Sequence, residues 1–364
     1  MENAVLRILD AAANRAREGL RVLEDCARFS LNDAGLTESL KHLRHDLAAA
    51  LALLPMEQAL QTRDTQGDVG TDIKTAAELH RESWPDLLAA NAKRLSEALR
   101  SLEEAAKTIN PDAAQALERL RYRGYTLEKS LLGGAAGFQS VERFSRVRLY
   151  VLLTESICAP GRSWEGVLEE ILAAAPAHAG ISPLCVQLRE KSCSDAELLA
   201  RARVLVNACR KAGALAIIND RIDIALLSGA DGVHLGQTDL PCGEVRRLLG
   251  PGKIIGVSTE KIAQAWQAVA DGATYIAAGP MFPTTTKEKP RIAGPAYAAE
   301  LIAANPPLNR PIVAIGGITL QHVQELTSRG IRSIAVSSAI LRAQDAGLVV
   351  RNFLDRLELP GPKV

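Results

Sequence analysis

Two hydrophobic rhythms divide the chain. Over Leu6–Phe29, Leu36–Leu54, Ala76–Ile109 and Ala113–Leu132, leucine and alanine recur at helical spacing, broken by Gly19 in the first segment and stopped by Pro55 after the second. This predicts an all-α unit of about four or five helices. Further on the rhythm shortens to apolar runs at Leu149–Leu153, Leu184–Leu188, Ala214–Ile218, Gly232–Leu235, Ile254–Val257, Tyr275–Ala278, Ile312–Ile315 and Ile334–Val336, separated by helical patterns. Eight strands alternating with helices in about 215 residues predict an α/β fold, a (β/α)8 TIM barrel, preceded by the separate helical domain. A doubly wound open sheet is the alternative. The barrel is favoured because polar residues follow nearly every run, as expected if all strands open onto one mouth. The domains are expected at 1–138 and 145–360, with Leu131–Phe138, L-L-G-G-A-A-G-F, closing the last helix and supplying a short junction.

Composition narrows the reading. The 364 residues suit two domains, and 47% hydrophobic content gives each a core. A net charge of +1 and 4% aromatic residues leave neither a basic stripe nor a stacking platform for nucleic acid. The start, M-E-N-A-V-L-R-I-L-D, lacks the form of a signal peptide, and no apolar run reaches membrane-spanning length, so a cytoplasmic protein without membrane partners is expected. Its partners would be small molecules; assembly with copies of itself is left open. Six cysteines form no C-x-x-C pair and read as reduced thiols rather than zinc ligands.

In the helical part, Ala11–Asp25 aligns without gaps on Ala90–Glu104, and Arg15, Glu18, Leu20, Arg21, Leu23 and Glu24 recur as Arg94, Glu97, Leu99, Arg100, Leu102 and Glu103. A pseudo-symmetric helix pair is expected. Charges three and four apart on a helix usually make a solvated face of weak ion pairs. The loop Thr62–Thr71, T-R-D-T-Q-G-D-V-G-T, holds Arg63, Asp64, Asp68 and two glycines, a set able to grip a metal-bound polyphosphate, although it matches no named phosphate loop.

The barrel strand ends carry more chemistry. After the second run, Gln187, Arg189 and Lys191 alternate with Leu188 and Glu190, so strand periodicity puts them on one side, where they call for an anion. The third run ends in Asn219-Asp220 and the fourth leads to Gln237 and Asp239; two carboxylates beside cations suit Mg²⁺ bridging to phosphate. His234, inside an apolar run, reads as a satisfied core histidine rather than a ligand or base. The fifth run ends at Ser258-Thr259, and the sixth leads through G-P-M-F-P to Thr284, Thr285, Thr286 and Lys287. Gly316-Gly317 and Ser337-Ser338 follow the last two runs, where barrels seat a phosphate monoester. The mouth thus offers a cation-rich, metal-assisted anion site and a second, neutral one built mainly from backbone. Joining a diphosphate substrate to a monophosphate substrate fits that division.

The motifs Q-L-R-E-K, I-N-D-R, G-V-H-L-G-Q-T-D, G-V-S, G-P-M-F-P-T-T-T-K and A-I-G-G-I, in this order, resemble the thiamine phosphate synthases. The resemblance implies that Arg189, Lys191, Asn219 and Lys287 hold the diphosphate of hydroxymethylpyrimidine diphosphate, and that Asp220 and Asp239 bind Mg²⁺. It further implies that Gln187 and Ser258 contact the pyrimidine or diphosphate, while Thr284, Thr286, Gly317 and Ser338 hold thiazole phosphate. A related thiazole tautomerase, which binds only the monophosphate, would not need the diphosphate set. The phrases at Asn14–Phe29, Leu40–Leu47, Arg63–Thr71 and Leu120–Lys129 resemble the helical domain fused to some bacterial thiamine phosphate synthases, whose family includes a kinase for hydroxymethylpyrimidine phosphate. That implies Mg-ATP as a second substrate, with Arg15, Glu18, Arg63, Asp64, Asp68 and Arg94 as candidate residues. A non-catalytic scaffold is the competing reading. Two departures stand out: Ala12 replaces an amide side chain, and Glu260 stands where the barrel family often has a histidine.

Overall fold

Strand propensity and burial coincide in the eight apolar runs, which form β1 (Leu149–Leu153), β2 (Leu184–Leu188), β3 (Leu215–Asn219), β4 (Gly232–Leu235), β5 (Ile254–Thr259), β6 (Tyr275–Ala278), β7 (Ile312–Ile315) and β8 (Ile334–Val336). In the computed structural model, which describes residues 2–69, 81–284 and 292–358, each strand pairs in parallel with the next and β8 closes on β1. β2 is buried at every position, as a parallel strand covered on both faces should be. Nine helices are described after β1: α6 (Trp164–Ala173), α7 (Asp195–Lys211), α8 (Ile222–Ser228), α9 (Cys242–Leu249), α10 (Ile262–Ala270), α11 (Gly294–Ile302), α12 (Val323–Ser328), α13 (Ser338–Leu341) and α14 (Ala346–Glu358). Their apolar faces and the outward side chains of the strands form one large core. The inward side chains, Tyr150, Cys185, Ile217 and Tyr275 among them, form a second, smaller core inside the barrel, joined by Phe144 from the helix before β1.

The chain divides into two compact units, Met1–Phe138 and Gln139–Val364. The first contains α1 (Glu2–Asp25), a π-helical turn (Cys26–Ser30), α2 (Ala34–Leu51), α3 (Met56–Gln61), α4 (Trp84–Ala106) and most of α5 (Pro111–Ser145). α3 was not expected: six residues are too few to show a period. Helix α4 begins at Trp84, capped by Ser83, later than the Ala76 expected; residues 76–80 lie outside the described part. The expected helix stop at Leu131–Phe138 is overturned, because α5 runs on to Ser145. The physical reason is packing. Leu131 and Ala135 are buried, Gly134 lets the helix close on Leu31, where a Cβ would lie 3.1 Å from Cδ1, and Phe138 meets the Trp84 ring edge-on at 5.5 Å.

The internal repeat is visible as the α1–α4 pair, and it explains a burial that spacing hides. Glu24 and its counterpart Glu103 are both buried. Each faces the arginine three residues earlier and an arginine from another helix: Arg21 and Arg44 for Glu24, Arg100 and Arg121 for Glu103. The solvated-face expectation therefore fails at these two positions, because the packed neighbours bring a matching charge to them. It holds at Arg15, Glu18 and Arg94, all exposed.

Candidate active site

The strand ends surround a cavity of about 580 Å³ lined by Arg189, Ser258, Thr284, Gly316, Gly317, Ser337, Ser338 and Arg342, among others. Seven of these were read from the sequence. Arg342 was missed; it lies four residues after Ser338 and one past the end of α13, a spacing that could have exposed it. Its presence corrects the expectation of a neutral second anion site.

Close packing shapes the far wall. Gly317 has φ +65°, and a Cβ there would sit 2.3 Å from the Pro283 carbonyl oxygen, so only glycine lets the β7 loop approach the β6 loop this closely. Phe282 N–H donates to the Gly316 carbonyl at 3.0 Å and fixes the two loops together. The Ser337 hydroxyl donates to the Leu152 carbonyl at 3.0 Å, tying β8 to β1. Thr285, Thr286 and Lys287 lie outside the described residues.

A second group gathers on β2–β4. Asn219 Nδ2 donates to Asp220 Oδ2 at 2.6 Å, and Asp239 Oδ2 accepts the Gly236 N–H at 2.6 Å. Asp220 holds φ +58°, a left-handed conformation that aspartate tolerates better than most residues. Burial, and after it the neighbouring Asp239, push the Asp220 carboxyl up to about 6, against the pull of Lys191 and the Asn219 amide. Two neighbouring carboxyls that offer hard oxygen donors fit Mg²⁺. Among the described residues no third acidic, histidine or cysteine side chain joins them. No described carboxylate pairs with Arg189 or Lys191.

The interior residues answer to strand parity. Gln187 and His234 are buried within the barrel. His234 Nδ1 lies 2.8 Å from the Tyr275 hydroxyl and Nε2 2.8 Å from Ser258 Oγ, so this histidine is satisfied, as the sequence suggested. Of the two hydroxyls ending β5, only Ser258 borders the cavity. Thr259 is fully buried and accepts the Tyr297 hydroxyl of α11 at 2.7 Å. Gln237 donates to the Ser258 carbonyl at 2.6 Å, bracing the β4 loop against β5.

In the helical unit the candidates do not converge. Arg63 makes a two-pronged pair with Asp10, Nε to Oδ2 and Nη2 to Oδ1 both at 2.6 Å, while Asn14 Nδ2 donates to the same carboxylate at 3.4 Å. Asp64 Oδ1 accepts the Gly67 N–H at 2.9 Å. Arg15 donates to the carbonyl of Ala11, one turn back, and Arg94 to Asn91. No described contact joins Arg15, Glu18 or Arg94 to the Asp10–Arg63 group. Asp68 lies exposed in the same loop as Asp64, whose last residues are not described. Ala12 is fully buried, and the amide it lacks is present at its repeat position, Asn91.

Residues 149–340 match the thiamine monophosphate synthase family, and residues 7–130 match the ThiD2 family. The thiamine-phosphate synthase of Rhodopirellula baltica is 40% identical over 362 residues, covering 98% of this chain and 94% of that protein. That of Gloeobacter violaceus is 41% identical over 356 residues, with 98% of each chain covered. Among solved structures, a thiamine phosphate pyrophosphorylase from Pyrococcus furiosus superposes with a TM-score of 0.50 at 27% identity, over 59% of this chain and 97% of its own. Barrel, strand-end chemistry and full-length similarity agree: the chain belongs to the thiamine-phosphate synthase family.

Proposed function

We propose that the barrel of this transferase joins hydroxymethylpyrimidine diphosphate to thiazole phosphate, releasing pyrophosphate. The observation that carries the assignment of roles is the clustering of two anion-binding groups at one mouth, Arg189 with the Asp220–Asp239–Lys191 group on one side and Gly316, Gly317, Ser338 and Arg342 on the other. Breaking the bond between the pyrimidine methylene and the diphosphate oxygen leaves a cation stabilised by the aminopyrimidine, and the thiazole nitrogen then forms the new carbon–nitrogen bond. No covalent nucleophile is required. Arg189, Lys191, Asn219 and Lys287 stabilise the departing diphosphate, while Gln187 and Ser258 orient the pyrimidine substrate. Gly317, Ser338 and Thr284 hold the thiazole phosphate, joined by Thr286; Gly316 and Ser337 complete that wall. Asp220 and Asp239 would hold Mg²⁺, which when bound neutralises diphosphate charge.

For the helical unit we propose phosphorylation of hydroxymethylpyrimidine phosphate by Mg-ATP, supplying the barrel with its diphosphate substrate. The ThiD2 match and the loop held over α1 by Arg63 and Asp10 support this reading. The test uses the full chain with Mg-ATP, hydroxymethylpyrimidine phosphate and no thiazole phosphate. Accumulation of the diphosphate, lost in Asp64→Ala, is the expected result. If none forms while the chain still makes thiamine phosphate from supplied diphosphate, the helical unit is a scaffold.

A further inference from the structure

A single chain of hydrogen bonds crosses the barrel interior. Gln187 Nε2 donates to the Tyr150 hydroxyl at 3.0 Å, the Tyr150 and Tyr275 hydroxyls lie 2.9 Å apart, Tyr275 meets His234 Nδ1, and His234 Nε2 meets Ser258 Oγ. The backbone is shaped around it. Gly256 lies between His234 on β4 and Tyr275 on β6, and a Cβ there would fall 2.0 Å from Tyr275 Cζ, so glycine opens the path for the ring to reach across β5. Phe144 stacks on the other side of Tyr275 at 3.9 Å, holding the phenol in place. Burial drives both phenol pKa values well above their ordinary range, so both keep their protons.

The orientation of the Gln187 amide sets the direction of the run. Tyr150 accepts from Gln187, so its own proton goes to Tyr275; Tyr275 then gives its proton to His234 Nδ1. In this direction His234 Nε2 carries the proton that it donates to Ser258. The reverse order, with Nδ1 protonated and Ser258 donating to Nε2, needs the Gln187 amide turned so that Oε1 accepts from Tyr150 and its NH₂ gives up that acceptor.

We propose that Tyr275 and His234 are positioning residues that hold the Ser258 hydroxyl proton toward the cavity, making Ser258 a fixed donor to an acceptor atom of the pyrimidine substrate. This rests on the placement of Ser258 in the synthase site. With Ser258 Oγ already accepting from His234, its own O–H is the group left to point into the cavity it lines.

The test has two arms on the full chain. Tyr275→Phe keeps the stacked ring and removes the link. It is expected to lower kcat/KM for hydroxymethylpyrimidine diphosphate about five- to tenfold, the scale of one hydrogen bond, without changing KM for thiazole phosphate. In Ser258→Ala the same substitution should add less than about twofold, since the donor it positions is gone. A fall in kcat alone marks a departing diphosphate oxygen as the acceptor; a rise in KM alone marks a ring nitrogen. Additive losses from an impaired Ser258→Ala overturn the relay and spare the site, whereas full activity of Ser258→Ala removes Ser258 from the site and the relay with it. Independently, histidine nitrogen NMR of the unmodified chain, assigned with His234→Gln, should show the Nε2–H tautomer. The Nδ1–H form would overturn the proposal, even if Tyr275→Phe fails to fold.

Discussion

The end of β2 and the first helix, α1, look alike as strings of charge, yet only one gathers chemistry. At β2 the strand ends at Leu188, Arg189 just past it lines the cavity, and barrel closure brings seven other strand ends around it. On α1, Arg15 and Glu18 stay at the surface, while Glu24 turns inward to arginines that stabilise the fold. A barrel converts chain order into convergence; a helix bundle spreads its polar residues over all faces. Charge in a sequence therefore says more about function when the fold already specifies where it must meet.

The strongest break of that contrast is Lys287→Ala. Turnover should fall roughly 10²–10³-fold, the scale of one electrostatic donor to a developing anion, while Arg15→Ala leaves thiamine phosphate formation unchanged within a few-fold. Equal losses in a steady-state assay with saturating substrates would erase the distinction, and an unaffected Lys287→Ala would take that lysine out of the site.

On the helical side the large effect should appear in stability instead. Removing the Glu103 carboxylate leaves Arg121, whose Nε donates to it at 2.7 Å, beside a buried gap. Glu103→Ala should cost about 3 kcal/mol, and Arg100→Ala, at a half-exposed partner, less than about 1 kcal/mol. Hydrogen exchange at the amides of α4 reads both. Comparable exchange in the two variants would return Glu103 to the solvated face.

The third comparison is within the barrel. Gly317→Ala forces a side chain into a left-handed backbone and toward the Pro283 carbonyl, so KM for thiazole phosphate should rise about tenfold, in line with 1–3 kcal/mol of strain, with KM for the pyrimidine substrate unchanged. A matched rise in both would mean that the two anion sites are not separate.

The same contrast explains what the sequence revealed and what it hid. All eight strands were legible, because a run such as Leu184–Leu188 is apolar without interruption only when both faces are covered. Their polar ends were legible for the same reason, standing out against the runs. Arg342 was not, because it sits among the residues after a short helix rather than at a strand end. His234 was legible as a satisfied core residue, but its partners Tyr150 and Tyr275 hid inside apolar runs, since nothing local shows that three polar tips meet across the barrel. Residues Leu131–Phe138 misled: glycines usually end helices, but these are held in α5 by contacts with Leu31 and Trp84, which lie far away in sequence. The repeat of α1 in α4 could be read, whereas the burial of its last glutamate depends on Arg44 and Arg121, supplied by other helices.

The smallest effect separates an ion pair that shapes a loop from one that shapes a core. Hydrogen bonds from Arg63 hold the Asp10 carboxyl below its ordinary value, more than offsetting the upward push of burial. A depressed carboxyl stabilises the folded chain at pH values above its unfolded value, about 3.9, and that contribution is lost as the pH falls through the lower folded one. Asp10→Asn should therefore lower the thermal midpoint by no more than a few degrees at pH 7, by the same amount down to about pH 5, and progressively less below about pH 4. In Arg63→Met most of the Asp10→Asn difference should vanish at every pH, because the carboxylate keeps only the longer bond from Asn14 at 3.4 Å. A difference that persists there in full, or one that grows on acidification, would show that Asp10 is held mainly by something other than Arg63. The loop from Arg63 would then no longer be anchored to α1 by charge, and the case for an organised site in the helical unit would lose its main structural support.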